Sequence, residues 1–335
     1  MVVADVPDLS AAVTTWTVSP VADALILLAT AGYFRLATRG GQRWPRRRSA
    51  AWAGAVLVLV VALDSSVATY AHVLFWVHMV QHLMLIMVVP VLLVWAQPVR
   101  LAVERGGPRL RGRVEAVLGA RATRLATAPP VTLAFYTTVL VLTHLTGFQS
   151  LMVANPWVHD LEVVLYLLSG YLFFVSLAGS ERTPWNVPYL LRLVVLAVSM
   201  GVDTLVGIVL MLTPYAVAPG FEAGHPGWGP GALGDQEVAG AIMWVGGDGL
   251  MMLLMIVIGV RWGMAGAADQ TMGRWLEGAR ARTLLDSGAA DGFTRVDDDD
   301  DALAAYNARL ASLHGVTPGG DRSATQVRGV GDVES

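Results

Sequence analysis

Cysteine is missing from all 335 residues. Its absence excludes disulfides, CxxC metal or redox motifs, iron–sulfur ligation and thiol nucleophiles in one step. Lysine is missing too, so that all 23 basic residues are arginine. Charge of either sign is scarce: 15% of residues are charged, against 55% apolar. A soluble chain of this length would carry about 25% charged residues and fold as two or three domains. No glycine-rich phosphate loop, nucleophile elbow or basic nucleic-acid patch stands out, so the chain reads as a non-enzyme without a nucleic-acid partner. The mean hydropathy is strongly positive, and the balance is that of a polytopic membrane protein.

What is present is apolar length. Stretches near 20–37, 51–70, 73–96, 130–148, 157–178, 189–212 and 238–262 each approach the roughly 20 residues that cross a bilayer at about 1.5 Å per residue. The expected fold is all-α, a bundle of seven transmembrane helices over residues 1–262. Pro20, Pro130 and Pro156 stand at or just before starts, where a missing N–H costs little. Residues 1–19 hold no basic residue and no small-x-small cleavage site follows, so the first span is expected to be retained.

Arginine next to short loops stays in the cytoplasm. Arg35 to Arg48 follow the first span, Arg100 to Arg124 the third, Arg182 and Arg192 flank the turn after the fifth, and Arg261 to Arg328 close or follow the seventh. Seven spans therefore put every arginine on one side, which predicts the N-terminus outside and the C-terminus inside a bacterial plasma membrane. Residues 98–128 alternate arginine with apolar residues and read as an interfacial helix broken at Gly106-Gly107-Pro108. Residues 263–335 read as an acidic, largely disordered cytoplasmic tail with Asp297 to Asp301 in a row. Leu303, Tyr306, Leu310 and Leu313 mark a short amphipathic helix within it.

Histidine mirrors arginine. His72, His78, His82, His144, His159 and His225 fall on the outer side of this topology, and His314 alone lies in the tail. His78-Met79-Val80-Gln81-His82 puts two imidazoles one turn apart on one helical face, the geometry of a metal clamp. Met79 stands where a zinc protease would carry its catalytic Glu, so peptide hydrolysis is not expected. By helical rise His82, Asp203 and Asp248 all lie roughly 13–15 Å deep, where an ionisable group needs a partner. Met200, Asp203 and Gly207 share a face, as do Trp244, Asp248, Met251 and Met255. The candidate metal ligands are His78, His82, Met79, His144, His159, Asp203, Asp248 and Met200. Methionine with imidazole favours Cu(I), while carboxylates tolerate Cu(II). His159, Glu162 and Tyr166 share a further face, and with Asp64, His72 and His144 outline an outer vestibule. The alternative for each is packing, or a hydrogen bond to a neighbouring helix.

Several separated motifs add a resemblance. His78-Met79-Val80-Gln81-His82-Leu83-Met84 with Pro90, Leu92-Leu93 and Gln97-Pro98-Val99 resembles the signature of seven-span CtaG-type cytochrome c oxidase assembly factors. Asn155-Pro156-Trp157-Val158-His159-Asp160-Leu161-Glu162, Asp235-Gln236-Glu237-Val238-Ala239-Gly240, Met243-Trp244 and Tyr306-Asn307-Ala308-Arg309-Leu310 extend it over about residues 20–315. The resemblance implies a bilayer protein needed to mature haem–copper oxidase. Its partners would be oxidase subunits and other copper chaperones, and its cargo copper on the outer face. Two other readings stay open: a copper- or proton-coupled transporter using Asp203 and Asp248, and a haem b electron-transfer protein pairing histidines from different helices.

Overall fold

Proline marks the starts. Pro20, Pro98, Pro108, Pro129 and Pro156 each open a helix, where the first N–H groups have no intrahelical partner to lose. The computed structural model describes residues 14–40, 43–179, 181–223 and 227–264, with 304, 307, 308 and 310–312 of the tail. The expectations for the acidic tail and its amphipathic helix, and for His225 and His314, lie wholly or largely outside the described residues.

The helices are α1 (Pro20–Ala37), α2 (Arg46–Asp64), α3 (Ser66–Tyr70), α4 (Phe75–Leu83), α5 (Val89–Ala96), α6 (Pro98–Arg105), α7 (Pro108–Gly119) and α8 (Arg121–Ala126). They continue as α9 (Pro129–His144), α10 (Phe148–Ala154), α11 (Pro156–Val175), α12 (Tyr189–Leu212), α13 (Pro219–Ala223), α14 (Ala232–Ala241) and α15 (Gly247–Met264). No strand occurs among the described residues. Six stretches are long and apolar enough to cross a membrane, and seven if α9 and α10, bent by 67° at their junction, form one broken span. By helix length and composition this is a multi-pass membrane protein. Val21, Leu25, Leu27 and Leu28 of α1 are among its many exposed apolar side chains, an extent of apolar surface that lipid can cover.

The fourth span departs from the straight helix expected over 130–148. Thr143 and Thr146 bond back to the carbonyls of Val139 and Leu142, and Gly147 precedes α10. Hydroxyl competition and a glycine end the helix at His144. Residues 98–128 break at Gly106-Gly107, as the sequence leads one to expect, and once more at Ala120, giving three helices.

Two spans carry a π-helical turn. Met84–Val88 joins α4 to α5, and Ile242–Gly246 joins α14 to α15. The first has a covalent cause: Pro90 has no N–H to give the Ile86 carbonyl one turn earlier, and the helix widens there. Gly170 of α11 packs on that same carbonyl, at a distance where an added Cβ would meet the Ile86 oxygen at 2.0 Å. Gly207 of α12 and Gly240 of α14 abut each other in the same manner, with a Cβ on either falling 2.8 or 2.6 Å from the other's carbonyl oxygen. Small residues at such crossings let membrane helices pack backbone to backbone.

The ends of the bundle differ in chemistry. At one, Arg105 donates to the carbonyls of Ala37 and Arg39, Arg48 and Arg105 lie against the Trp44 ring, and the Trp185 indole donates to the Arg124 carbonyl. Glu181 accepts the N–H groups of Val99 and Arg100 at the start of α6. Burial pushes its carboxyl up, against the pull of the Arg182, Arg100 and Val99 N–H groups. Gln97, at φ 55°, turns the chain from α5 into α6. At the other end the Ser19 N–H donates to Asp64, His72 packs on His159, and Tyr70 meets Trp228 edge-on.

Candidate functional site

The first turn of α4 is fastened from a distant part of the chain. The N–H groups of Phe75 and Trp76 donate to the two oxygens of Asp235, on α14, at 2.8 and 2.9 Å. A carboxylate there satisfies orphan donors and meets the positive end of the helix dipole. Gln81 adds a second tie, donating to the Ala62 carbonyl at 2.8 Å. Asp235→Ala is therefore expected to cost about 2 kcal/mol, read as a lower melting temperature of the detergent-solubilised protein. Asp235→Asn keeps one acceptor and should recover part of the loss.

So held, α4 presents His78 and His82 with ring centroids 3.9 Å apart, both buried. The third member comes from α11. Glu162 is 1% exposed, and its Oε2 and Oε1 lie 3.6 Å from His78 Nε2 and 3.4 Å from His82 Nε2. Ligand atoms of all three residues fall within 4.8 Å of one another. Glu162 Oε1 also accepts from Gln149 Nε2 at 3.2 Å. Both ring nitrogens of His78, His82 Nε2 and Glu162 Oε2 have no hydrogen-bond partner among the described residues.

Hydrogen bonding fixes how these groups face each other. His144 Nδ1 lies 2.8 Å from the Leu140 carbonyl, which can only accept. That nitrogen therefore carries the proton, and His144 Nε2 offers a lone pair to His82 Nδ1, 3.3 Å away. In the neutral pair His82 then holds its proton on Nδ1 and turns the Nε2 lone pair toward Glu162. Tyr166, whose hydroxyl bonds Thr143 at 2.7 Å, packs edge-on against the His82 ring. The His82 Nε2 lone pair and the carboxylate thus face each other with the His78 ring beside them, an arrangement that a cation or a proton relieves. A four-coordinate ion with bonds of about 2.0–2.1 Å holds neighbouring ligand atoms about 3.4 Å apart. The two imidazole–carboxylate distances, 3.6 and 3.4 Å, are close to this, and the whole group lies within 4.8 Å.

The other sequence candidates divide. His144 orients His82 rather than joining the three ligand atoms. His159 packs on His72 with centroids 4.8 Å apart and lies 6.3 Å from the His78 ring. Both line an open cleft of about 680 Å³ that also reaches Gln81 and Asp160. Met79 and Asp203, each 1% exposed, line a small cavity beneath His82 and His144. Asp248 is half-buried and takes a 2.7 Å hydrogen bond from Thr204, and Met200 packs at the margin of the core. Neither lines that cavity. Asp64 secures the entry to α1. The sequence places Glu162 only in the vestibule, and its position one turn after His159 and one before Tyr166 is the signal that points to it.

Comparison with known proteins follows the same residues. The chain is 28% identical over 293 residues to an uncharacterised protein of Mycobacterium leprae, covering 84% of this chain and 41% of that relative. It is 26% identical over 318 residues to an uncharacterised protein of Mycobacterium bovis, covering 92% and 46% respectively. The chain thus spans less than half the length of these curated relatives. No solved structure matches it. The model of one family, described as the cytochrome c oxidase caa3 assembly factor (Caa3_CtaG), matches residues 28–264. That match takes in α4, α11 and α14, the helices that supply the two histidines, the glutamate and the aspartate clamp, and on it this chain belongs to the cytochrome c oxidase caa3 assembly factor family.

Proposed function

We propose that this protein serves oxidase assembly by holding copper between His78, His82 and Glu162 and handing it to the nascent oxidase. The observation that carries the reading is the buried convergence of two imidazoles and a carboxylate whose ligand atoms lie within 4.8 Å of one another, with both His78 nitrogens, His82 Nε2 and Glu162 Oε2 lacking a hydrogen-bond partner among the described residues. Two imidazoles and one carboxylate form an incomplete shell, and an incomplete shell suits a cargo that must leave. Copper is the substrate here, arriving from an upstream chaperone and departing to an oxidase subunit.

The cleft beside His72 and His159 supplies an approach, since it opens at the arginine-free end and reaches Gln81. We place that end outside the cell and the arginine-bearing loops in the cytoplasm. Reporter fusions at Ser10 and Asp321 are expected to read outside and inside respectively; readings on the same side would refute this orientation. Haem ligation fits poorly, because His82 and His144 already bond each other at 3.3 Å and leave no room for a macrocycle between them.

The test is metal analysis of the full chain purified without a polyhistidine tag from copper-replete cells. Copper is expected in excess of zinc, iron and manganese. Cells that carry His78→Ala in place of the native copy should lose oxidase activity at limiting copper and regain part of it at high copper. A stable, inserted His78→Ala, His82→Ala variant that supports full activity at limiting copper would overturn the proposal. Net copper uptake by vesicles containing this protein alone would favour transport over hand-over.

A further inference from the structure

The two π-helical turns lie on different spans, yet they feed one cavity. Met87, inside Met84–Val88, and Met243, inside Ile242–Gly246, both line the small space beneath His82 and His144, as does Met79 of α4. A π-turn shifts the side chains beyond it around the helix axis, and such turns recur at functional sites. All three methionines are buried, at 1%, 3% and 4% exposure for Met79, Met87 and Met243. The cavity offers about 10 Å³ to a water-sized sphere, close to the room that a single water or small ion occupies.

Methionines around an apolar void would be ordinary packing. Asp203 separates this cavity from that case. Its carboxyl is 1% exposed and lines the same space, and neither oxygen has a hydrogen-bond partner among the described residues. The Tyr136 hydroxyl, which has no other partner among the described residues, lies near enough to interact with that carboxyl. Gly247 packs against two of the lining residues: a Cβ there would lie 3.6 Å from Met87 Cε and 3.7 Å from Asp203 Cβ. A carboxyl at this depth with at most one hydroxyl beside it is relieved by a cation or a proton, and the thioethers around it favour the cation.

We infer that the cavity between the two π-turns is a second ion site, formed by Met79, Met87, Met243 and Asp203 beneath His82 and His144, for a soft monovalent cation such as Cu(I). Thioethers select the soft ion. One positive charge balances one carboxylate, whereas a divalent ion would leave net charge in a low-dielectric interior. The site shares the His82–His144 wall with the His78–His82–Glu162 centre, so an ion can occupy either side of that pair. Its existence does not depend on the outer centre, and the two fail separately.

The absence of cysteine makes the test direct, because any sulfur bound to metal must be methionine. The full chain, purified without a polyhistidine tag, is loaded with Cu(I) under a reductant and, in parallel, with Ag(I). Stoichiometry and the X-ray absorption spectrum are then recorded. Two ions per chain are expected, one with sulfur neighbours. Met79→Leu, Met87→Leu and Met243→Leu together, which nearly conserve volume, should remove the sulfur neighbours and one ion per chain. Asp203→Asn should lower affinity for that ion at least tenfold. His78→Ala with Glu162→Gln should remove the other ion and leave the sulfur signal. Met252→Leu, at a position 50% exposed, should change nothing. A wild-type spectrum with nitrogen and oxygen neighbours alone, or a sulfur signal that survives the Met79, Met87 and Met243 changes in a folded protein, overturns the inference.

Discussion

Glu162→Gln is expected to weaken copper binding by about 100-fold or more, since removal of even an outer-sphere partner of a metal ligand costs roughly 10–100-fold. The substitution preserves shape and keeps an oxygen for Gln149, which donates to Glu162 at 3.2 Å, so the bundle should insert and melt nearly as the wild type does. It removes the negative charge that faces two imidazole lone pairs. His82→Ala should match it in copper affinity but lose more stability, because it also strips His144 Nε2 of its partner. Asp64→Asn, on the entry to α1, should leave affinity unchanged. Competition against a Cu(I) chelator reads all three. A Glu162→Gln protein that holds copper as tightly as the wild type would remove Glu162 from the ligand set and leave a two-histidine centre.

Gly170→Ala should produce the largest loss of stability. Its new methyl would sit 2.0 Å from the Ile86 oxygen and 2.8 Å from Pro90 Cγ, and neither a backbone carbonyl nor a proline ring in mid-span can step aside. Overpacking of this kind costs about 3 kcal/mol, seen as a lower melting temperature and reduced yield in the membrane. Gly207→Ala should behave alike, trapped between Gly240 O and the Trp244 backbone. Gly201→Ala is the contrast, on the same helix as Gly207 but with nothing within 4 Å of its added Cβ. It should be neutral or stabilise by about 0.5–1 kcal/mol through helix propensity. Equal losses at all three positions would mean that the close crossings of α11 and α12 are not what holds the bundle. Displacing the Ile86 turn would also move Met87, so Gly170→Ala should disturb the inner cavity before the outer centre.

The membrane helices were legible because lipid imposes a long, uniform demand on sequence: an apolar run of the right length is nearly sufficient. The break at His144 was not, since it depends on Thr143 and Thr146 hydroxyls choosing their own backbone, and threonine does the same in straight helices. Within the site, the pairing of His78 with His82 is a matter of one helical turn and could be read locally. Glu162 comes from another helix 80 residues on, and only the register of α4 against α11, set in part by Asp235 and Gly170, brings it to the imidazoles. Asp203 and Asp248 looked equivalent at equal depth. Thr204 separates them by answering one carboxylate and leaving the other bare. The widened turn at Met84–Val88 had a readable cause in Pro90, whereas no single residue accounts for the one at Ile242–Gly246.

The brevity of α9 has an effect beyond the protein itself. Its 16 residues measure about 24 Å along the axis, several ångströms short of a hydrocarbon core of roughly 30 Å. A rigid element too short for its solvent draws the two water surfaces toward each other, and α10 turns 67° away from it. Headgroups and water are then expected to dip toward His144, bringing His82 nearer to the aqueous phase than helical depth alone implies. Acyl-chain length then becomes a control on ion entry: the protein should load copper faster in short-chain than in long-chain bilayers, with the same final occupancy in both.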